Sequence, residues 1–184
     1  MPQVIVLYHS GYGHTQRMAQ AVAEGANAEL MAIDPDGNLP ADAWQRLNSA
    51  DAIIFGAPTY MGSVSWQFKK FADASSRAWY AEHWKDKIAA GFTTASGMDG
   101  DKGATLMALM TFAMQHGMIW VSQGIMPSAT KAAKRDDPNF LASYSGATSQ
   151  SPIDSGALEM SPGDLETARL FGQRVAAITA RFKS

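Results

Sequence analysis

The chain has 184 residues, 46% of them hydrophobic and 17% charged, with a formal net charge of −2 at pH 7 and no cysteine. That is enough for one domain with a real core. It excludes disulfides, thiolate metal sites and a cysteine nucleophile, leaves no basic surplus for nucleic acid, and disfavours an electron carrier steered to its partners by strong acidity.

Taken in order, apolar runs alternate with helical stretches. Val4, Ile5, Val6, Leu7 and Tyr8 form an unbroken apolar run, the mark of a strand buried on both faces of a parallel sheet. Strands are predicted over 3–8, 29–33, 52–57, 88–94 and 118–122. Helices are predicted over 14–24, 41–47, 64–74, 102–115 and 162–181. The last helix is well marked: Ser161 can cap it, Pro162 suits its first turn, and Leu165, Ala168, Phe171, Gly172, Val175 and Ile178 share one face. Met107, Met110 and Met114 lie at helical spacing and are expected in the core. The alternation predicts a single α/β domain over 1–184. Its doubly wound five-stranded parallel sheet has order 2-1-3-4-5, with helices on both faces. Residues 123–160 are rich in Ser, Gly, Pro and Asp and lack a period, so they read as an extended, functional loop. The first strand begins at once, so no secretory leader is expected, and no apolar run has membrane-spanning length. A cytoplasmic protein with no membrane contact is the expectation.

Three loops carry chemistry. After the first strand come Ser10, Gly11, Tyr12, Gly13, His14 and Thr15, then helix formers. A strand, a glycine and hydroxyl turn and a helix start build an anion site from free N–H groups and the helix dipole. The dinucleotide pattern G-x-G-x-x-G fails at Gln16, and no Walker lysine follows. The flavodoxin-type phosphate pattern fits at every position: Val6, Leu7, Tyr8, Ser10, Gly13, Thr15, Ala19 and Val22. After the third strand, Pro58, Thr59, Tyr60, Met61 and Gly62 offer a stiff turn, a hydroxyl and apolar surface. After the fourth, Thr94, Ala95, Ser96, Gly97, Met98, Asp99 and Gly100 offer small residues and many N–H groups. Doubly wound sheets gather these loops at the C-terminal strand ends. A phosphate cradle beside two walls for a planar ring is an FMN site, whose redox chemistry belongs to the flavin. The four histidines, His9, His14, His83 and His116, are scattered, so no metal site is expected.

The chain resembles the flavodoxin-like NAD(P)H:quinone oxidoreductases of the WrbA type. The likeness rests on Tyr8 to His14, on Asp51 to Thr59, on Gly62, Gln67 and Phe71-Ala72-Asp73, on His116-Gly117-Met118, and on Ala168 to Ala176. It implies that Ser10 to Thr15 bind the FMN phosphate and that Thr59, Tyr60 and Met61 touch the isoalloxazine. Thr94 to Gly100 would bind its pyrimidine edge. It also implies a catalytic His116 near the flavin, supplied by a neighbouring subunit, with Tyr12 facing the nicotinamide and Trp79 lining the substrate pocket. A homo-oligomer, tetramer or dimer, follows, with the 123–160 loop or the Trp79–Trp84 patch between subunits. The chain departs from the family at Tyr60-Met61-Gly62-Ser63, where Arg-Phe-Gly-Asn is usual. It also lacks the usual Thr-Gly-Thr-Gln-His-Gly after the fourth strand.

The expected function is therefore FMN-dependent transfer of a hydride from NADH or NADPH to a quinone-type acceptor. Donor and acceptor take turns on one flavin face, with His14 or His116 as proton sources. The rivals are an NAD(P)H:flavin reductase, in which FMN leaves as a substrate, and an electron-transfer flavodoxin.

Overall fold

The computed structural model describes residues 1–183. Strands β1 (Val4–His9), β2 (Glu29–Ile33), β3 (Ala52–Tyr60) and β5 (Ile88–Ala95) form a parallel sheet in spatial order β2-β1-β3-β5. At its far edge is β6 (Ile119–Trp120). This is the predicted 2-1-3-4-5 winding. The extra number comes from β4 (Ser63–Val64), which folds back antiparallel on the end of β3. The pleat sends alternate residues of β1 to opposite faces. Val4, Val6 and Tyr8 join one core with Met18, Val22, Phe92, Phe171 and Val175; Ile5 and Leu7 join the other with Phe55, Phe68, Phe71, Trp84 and Leu109. That double burial is why the strand reads as a continuous apolar run.

The first core lies under α1 (His14–Ala26) and α6 (Pro162–Lys183), the second under α2 (Ala43–Ser49), α3 (Trp66–Ala74) and α5 (Lys102–Gln115). Helices α1 and α6 meet at glycines. A Cβ on Gly172 would collide with the Val22 carbonyl, and one on Gly25 with the Arg169 carbonyl. A short α4 (Ser76–Tyr80) follows α3.

The structure differs from the sequence reading in three places. The fifth strand is split. Residues Ile119 and Trp120 pair with Ile88 and Ala89, the chain then leaves the sheet, and β7 (Ala147–Gln150) returns to pair with Phe92–Ala95. The 123–160 stretch is therefore partly strand. Its excursion is tied down: Arg135 grips Asp164 with two hydrogen bonds of 2.8 and 2.6 Å, and buried Asn139 donates to the Ile125 carbonyl and accepts from the Ser143 N–H. The Ser161 hydroxyl donates to Asp136 and accepts from Arg135 instead of capping α6. Finally, Met107 and Met114 are exposed (54% and 56%), and the buried face of α5 is Lys102, Thr105, Leu106, Leu109 and Ala113. Among the described residues no helix is long and apolar enough to cross a membrane, and none groups three metal-ligating side chains.

Candidate functional site: a cleft at the C-terminal strand ends

The phosphate loop follows from its local sequence. The N–H groups of Gly13 and Gln16 donate to Ser10 Oγ, each at 3.1 Å, which draws the turn tight. Gly13 takes φ +90°, a region open to glycine and strained for other residues, and it sits as N-cap of α1 without a side-chain cap. The first-turn N–H groups of His14 and Thr15 therefore face outward, as an oxyanion requires. A Cβ on Gly11 would fall on the Tyr60 hydroxyl, so glycine here lets the Tyr60 ring lie against the loop.

Beside this loop opens a cleft of about 580 Å³. Tyr12, His14 and Thr15 form one end. Pro58, Thr59 and Tyr60 from β3 form one side, and Thr94 and Ala95 from β5, with Ser96 just after it, form the floor. A buried hydroxyl chain ties the two strands: Thr93 Oγ1 donates to the Ala57 carbonyl at 2.6 Å and lies 2.9 Å from Thr59 Oγ1. Burial raises the Tyr60 phenol above its ordinary range, and Tyr12, 6.3 Å away edge to face, adds to the rise. A hydrogen bond from the Gly11 backbone acts against it. Of the other residues expected at the site, Gly97, Met98, Asp99 and Gly100 follow Ser96 in the chain but do not line the cleft, Ser10, Gly11 and Gly13 lie in the loop behind its end, and Met61 and Gly62 stand at the exposed tip of the β3–β4 turn.

One wall has no counterpart among the residues expected from sequence. Ser151, Pro152, Ile153, Ser155 and Gly156, which follow β7, close the cleft opposite β3. His14 Nε2 donates to the Ser155 carbonyl at 3.0 Å, and Thr94 Oγ1 lies 2.7 Å from Ser151 Oγ. The composition of 123–160 marked it as a functional loop, but the pairing of β7 with β5 that brings these residues to the site is long-range.

His116 and Trp79 are not in this cleft. Both line a second cavity of about 470 Å³ between α3, α4 and α5. His116 is 5% exposed, stacked 4.3 Å from Trp84, whose indole is fully buried. The Ser75 hydroxyl gives its one proton to the Ala72 carbonyl at 2.7 Å, so His116 Nε2 carries a hydrogen and donates to Ser75 Oγ at 2.9 Å. His116 Nδ1 is then a buried lone pair with no partner. Burial pushes the imidazole pKa down to about 4, so the ring is neutral at pH 7. Within one chain, His116 is a buried packing residue away from the phosphate loop.

The donor set fits FMN. An outward-facing helix start with Ser10 and Thr15 matches a dianionic phosphate. A slot between Tyr60 and the Ile153 segment, floored by small residues, matches a flat ring. The fold and site thus define a flavin-binding, doubly wound redox domain. The sequence pattern of the NADPH-dependent FMN reductase family matches residues 3–132, and the chain belongs to this FMN-binding, flavodoxin-like oxidoreductase family. It is 53% identical over 178 residues to flavodoxin FldP of Pseudomonas aeruginosa, covering 97% of both chains. It is 31% identical over 203 residues to an NAD(P)H dehydrogenase (quinone) of Geotalea uraniireducens, covering 97% of this chain and 98% of that one. The crystal structure of a WrbA-like flavodoxin from Agrobacterium tumefaciens superposes with a TM-score of 0.83 at 51% identity, over 98% of this chain and 99% of that one.

Proposed function

We propose that the chain holds FMN in the 580 Å³ cleft and uses it to pass two electrons from NADH or NADPH to a small quinone-type acceptor. The observation that carries this reading is one continuous cleft that joins an anion-binding helix start to two apolar walls and stays open on one side. In this reading Ser10, Thr15 and the first N–H groups of α1 hold the phosphate. Thr59 and Tyr60 flank the ring on one side and Pro152 and Ile153 on the other, while the small residues Thr94, Ala95 and Ser96 floor it. FMN, when bound, supplies the hydride-accepting and hydride-donating chemistry. Tyr12, 81% exposed at the lip, offers a ring against which a nicotinamide or a quinone can stack, one at a time. No side chain in the cleft is placed as an obligatory acid, and His14 is engaged with Ser155, so solvent supplies protons at the open side.

A test starts from the visible spectrum of the purified protein after dialysis. NADH and NADPH oxidation are then followed with and without benzoquinone. The expected result is retained FMN, turnover that requires the quinone, and parallel double-reciprocal lines. Intersecting lines would mean separate substrate sites. A second reading, an electron carrier, is favoured by the 53% identity to a protein named flavodoxin. Retained FMN with no pyridine-nucleotide turnover would select it. Loss of FMN on dialysis, with turnover only when free FMN is added, would make the flavin a substrate. We infer also that the chain self-associates through the face bearing Trp79, Tyr80, Met107 and Met114, which are 47%, 85%, 54% and 56% exposed.

A further inference from the structure

The lysine at the start of α5 is badly placed for stability. Lys102 is 4% exposed, and burial lowers its pKa. It also puts a cation at a helix N-terminus, where the macrodipole favours anions. Its charge is set against Asp164 and Asp99, with Arg135 repelling it, and Asp164 is already engaged by both nitrogens of Arg135. An unfavourable residue kept in such a position points to a function in the loop it serves. Lys102 Nζ donates to the Gly97 carbonyl at 2.8 Å and to the Met98 carbonyl at 2.7 Å. The peptide bonds are all trans, so in each plane the N–H points opposite to the C=O. Turning these two carbonyls inward therefore turns the N–H groups of Met98 and Asp99 outward, and neither finds an acceptor among the described residues. Gln150 Nε2 fixes the next carbonyl, that of Ser96, at 3.2 Å.

We propose that Lys102 is a positioning residue that orients the 96–99 segment, which begins at the cleft with Ser96, so that its free N–H groups serve the polar edge of the flavin ring. The proposal rests on the reading of the cleft as an FMN site and adds a residue that touches neither phosphate nor ring. The acceptor atoms of the ring edge gain electron density on reduction, so donors aimed at them favour the reduced form. Lys102 acts on the ring alone, so its loss costs FMN and riboflavin the same factor. A phosphate-loop defect costs only FMN.

The experiment measures the affinity of Lys102→Met, Lys102→Gln and Lys102→Arg for FMN and riboflavin, the midpoint potential of bound flavin, and the melting temperature without flavin. Lys102→Met is expected to melt at or above wild type and to bind both flavins about tenfold more weakly, the cost of about one hydrogen bond. Its potential moves more negative. Lys102→Gln, which keeps one donor, falls between, and Lys102→Arg recovers most of the affinity. Unchanged affinity in Lys102→Met overturns the proposal. So does selective loss of FMN with riboflavin retained. A melting temperature that drops steeply in Lys102→Met, with binding that neither Lys102→Gln nor Lys102→Arg recovers, makes the residue merely structural and also overturns it. A wild-type chain that binds neither flavin removes the functional reading itself, which keeps the two failures apart.

Discussion

Ser10 works twice over: its hydroxyl oxygen gathers two N–H groups to shape the turn, and its place before a helix start puts it beside any bound anion. Ser10→Asp introduces a carboxylate there. Two like charges about 4 Å apart, at an effective dielectric near 20, repel by about 4 kcal/mol. FMN affinity should fall about a thousandfold in equilibrium dialysis; retention equal to wild type would show that the phosphate sits elsewhere. His116 makes a prediction of a different kind. Its folded pKa, about 4, lies below the ordinary imidazole value of 6.5. The stability it contributes is complete above pH 6.5 and is lost as pH falls towards 4. Between pH 7 and pH 4 that loss is about 3 kcal/mol. Buried His9, whose pKa is also lowered, adds a loss of the same sign. Urea unfolding at a series of pH values should show wild type declining more steeply than His116→Gln across this window, and equal slopes would refute the assignment. At this scale Ser10 and Thr15 were legible because the turn that uses them is local. The contacts of Tyr60 with Gly11 and of His14 with Ser155 were not, since each joins segments far apart in sequence. The packing of His116 on the Trp84 indole, and its place in the cavity between α3, α4 and α5, were not legible, because a histidine between a helix and a strand reads the same whatever it faces.

Helices α1 and α6 approach closely only because Gly25 and Gly172 lack a Cβ at the crossing. Gly172→Ala would press a methyl group against the Val22 carbonyl. The overpacking should cost about 2 kcal/mol of stability, although alanine is the better helix former. Thermal melting checks this, and an unchanged or raised melting temperature would mean that the helices part without strain. Element boundaries were legible wherever burial imposed one period. The predicted spans of β2 and α5 coincide with the observed ones because turn residues close both ends. The orientation of α5 was not legible, because Leu106, Met107, Leu109, Met110, Phe112 and Met114 make the helix apolar nearly all round, and such a pattern names no inner face. The split edge strand escaped for a related reason. Ile119 and Trp120 are too few to set a period, and Ala147-Thr148-Ser149-Gln150 carries little apolar signal, although the first three are buried.

The whole molecule brings four distant segments to one cleft: residues 12–15, 58–60, 94–96 and 151–156. A ligand touching all four stabilises the assembled state by mass action, about 2.7 kcal/mol at a free concentration one hundred times Kd. FMN should therefore raise the melting temperature in a concentration-dependent way, and a melt indifferent to FMN would contradict the cleft assignment. The exposed aromatic and methionine face of α4 and α5 predicts a mass above one chain by light scattering at micromolar protein; a monomer would leave that face without an explanation. The general plan was legible at this scale, since the order of apolar runs dictates a wound sheet and a wound sheet dictates where its loops meet. The last wall was not, because it depends on the chain leaving the sheet after β6 and rejoining it at β7. That detour also governs when the molecule becomes competent. During synthesis the loop 10–15 emerges well before the 151–156 wall. Until β7 has docked, the Ser155 carbonyl is out of reach of His14 and the cleft has no far side. If the cleft is the FMN site, flavin is held fully only once β7 has docked, and a chain truncated after β6 is expected to be purified colourless.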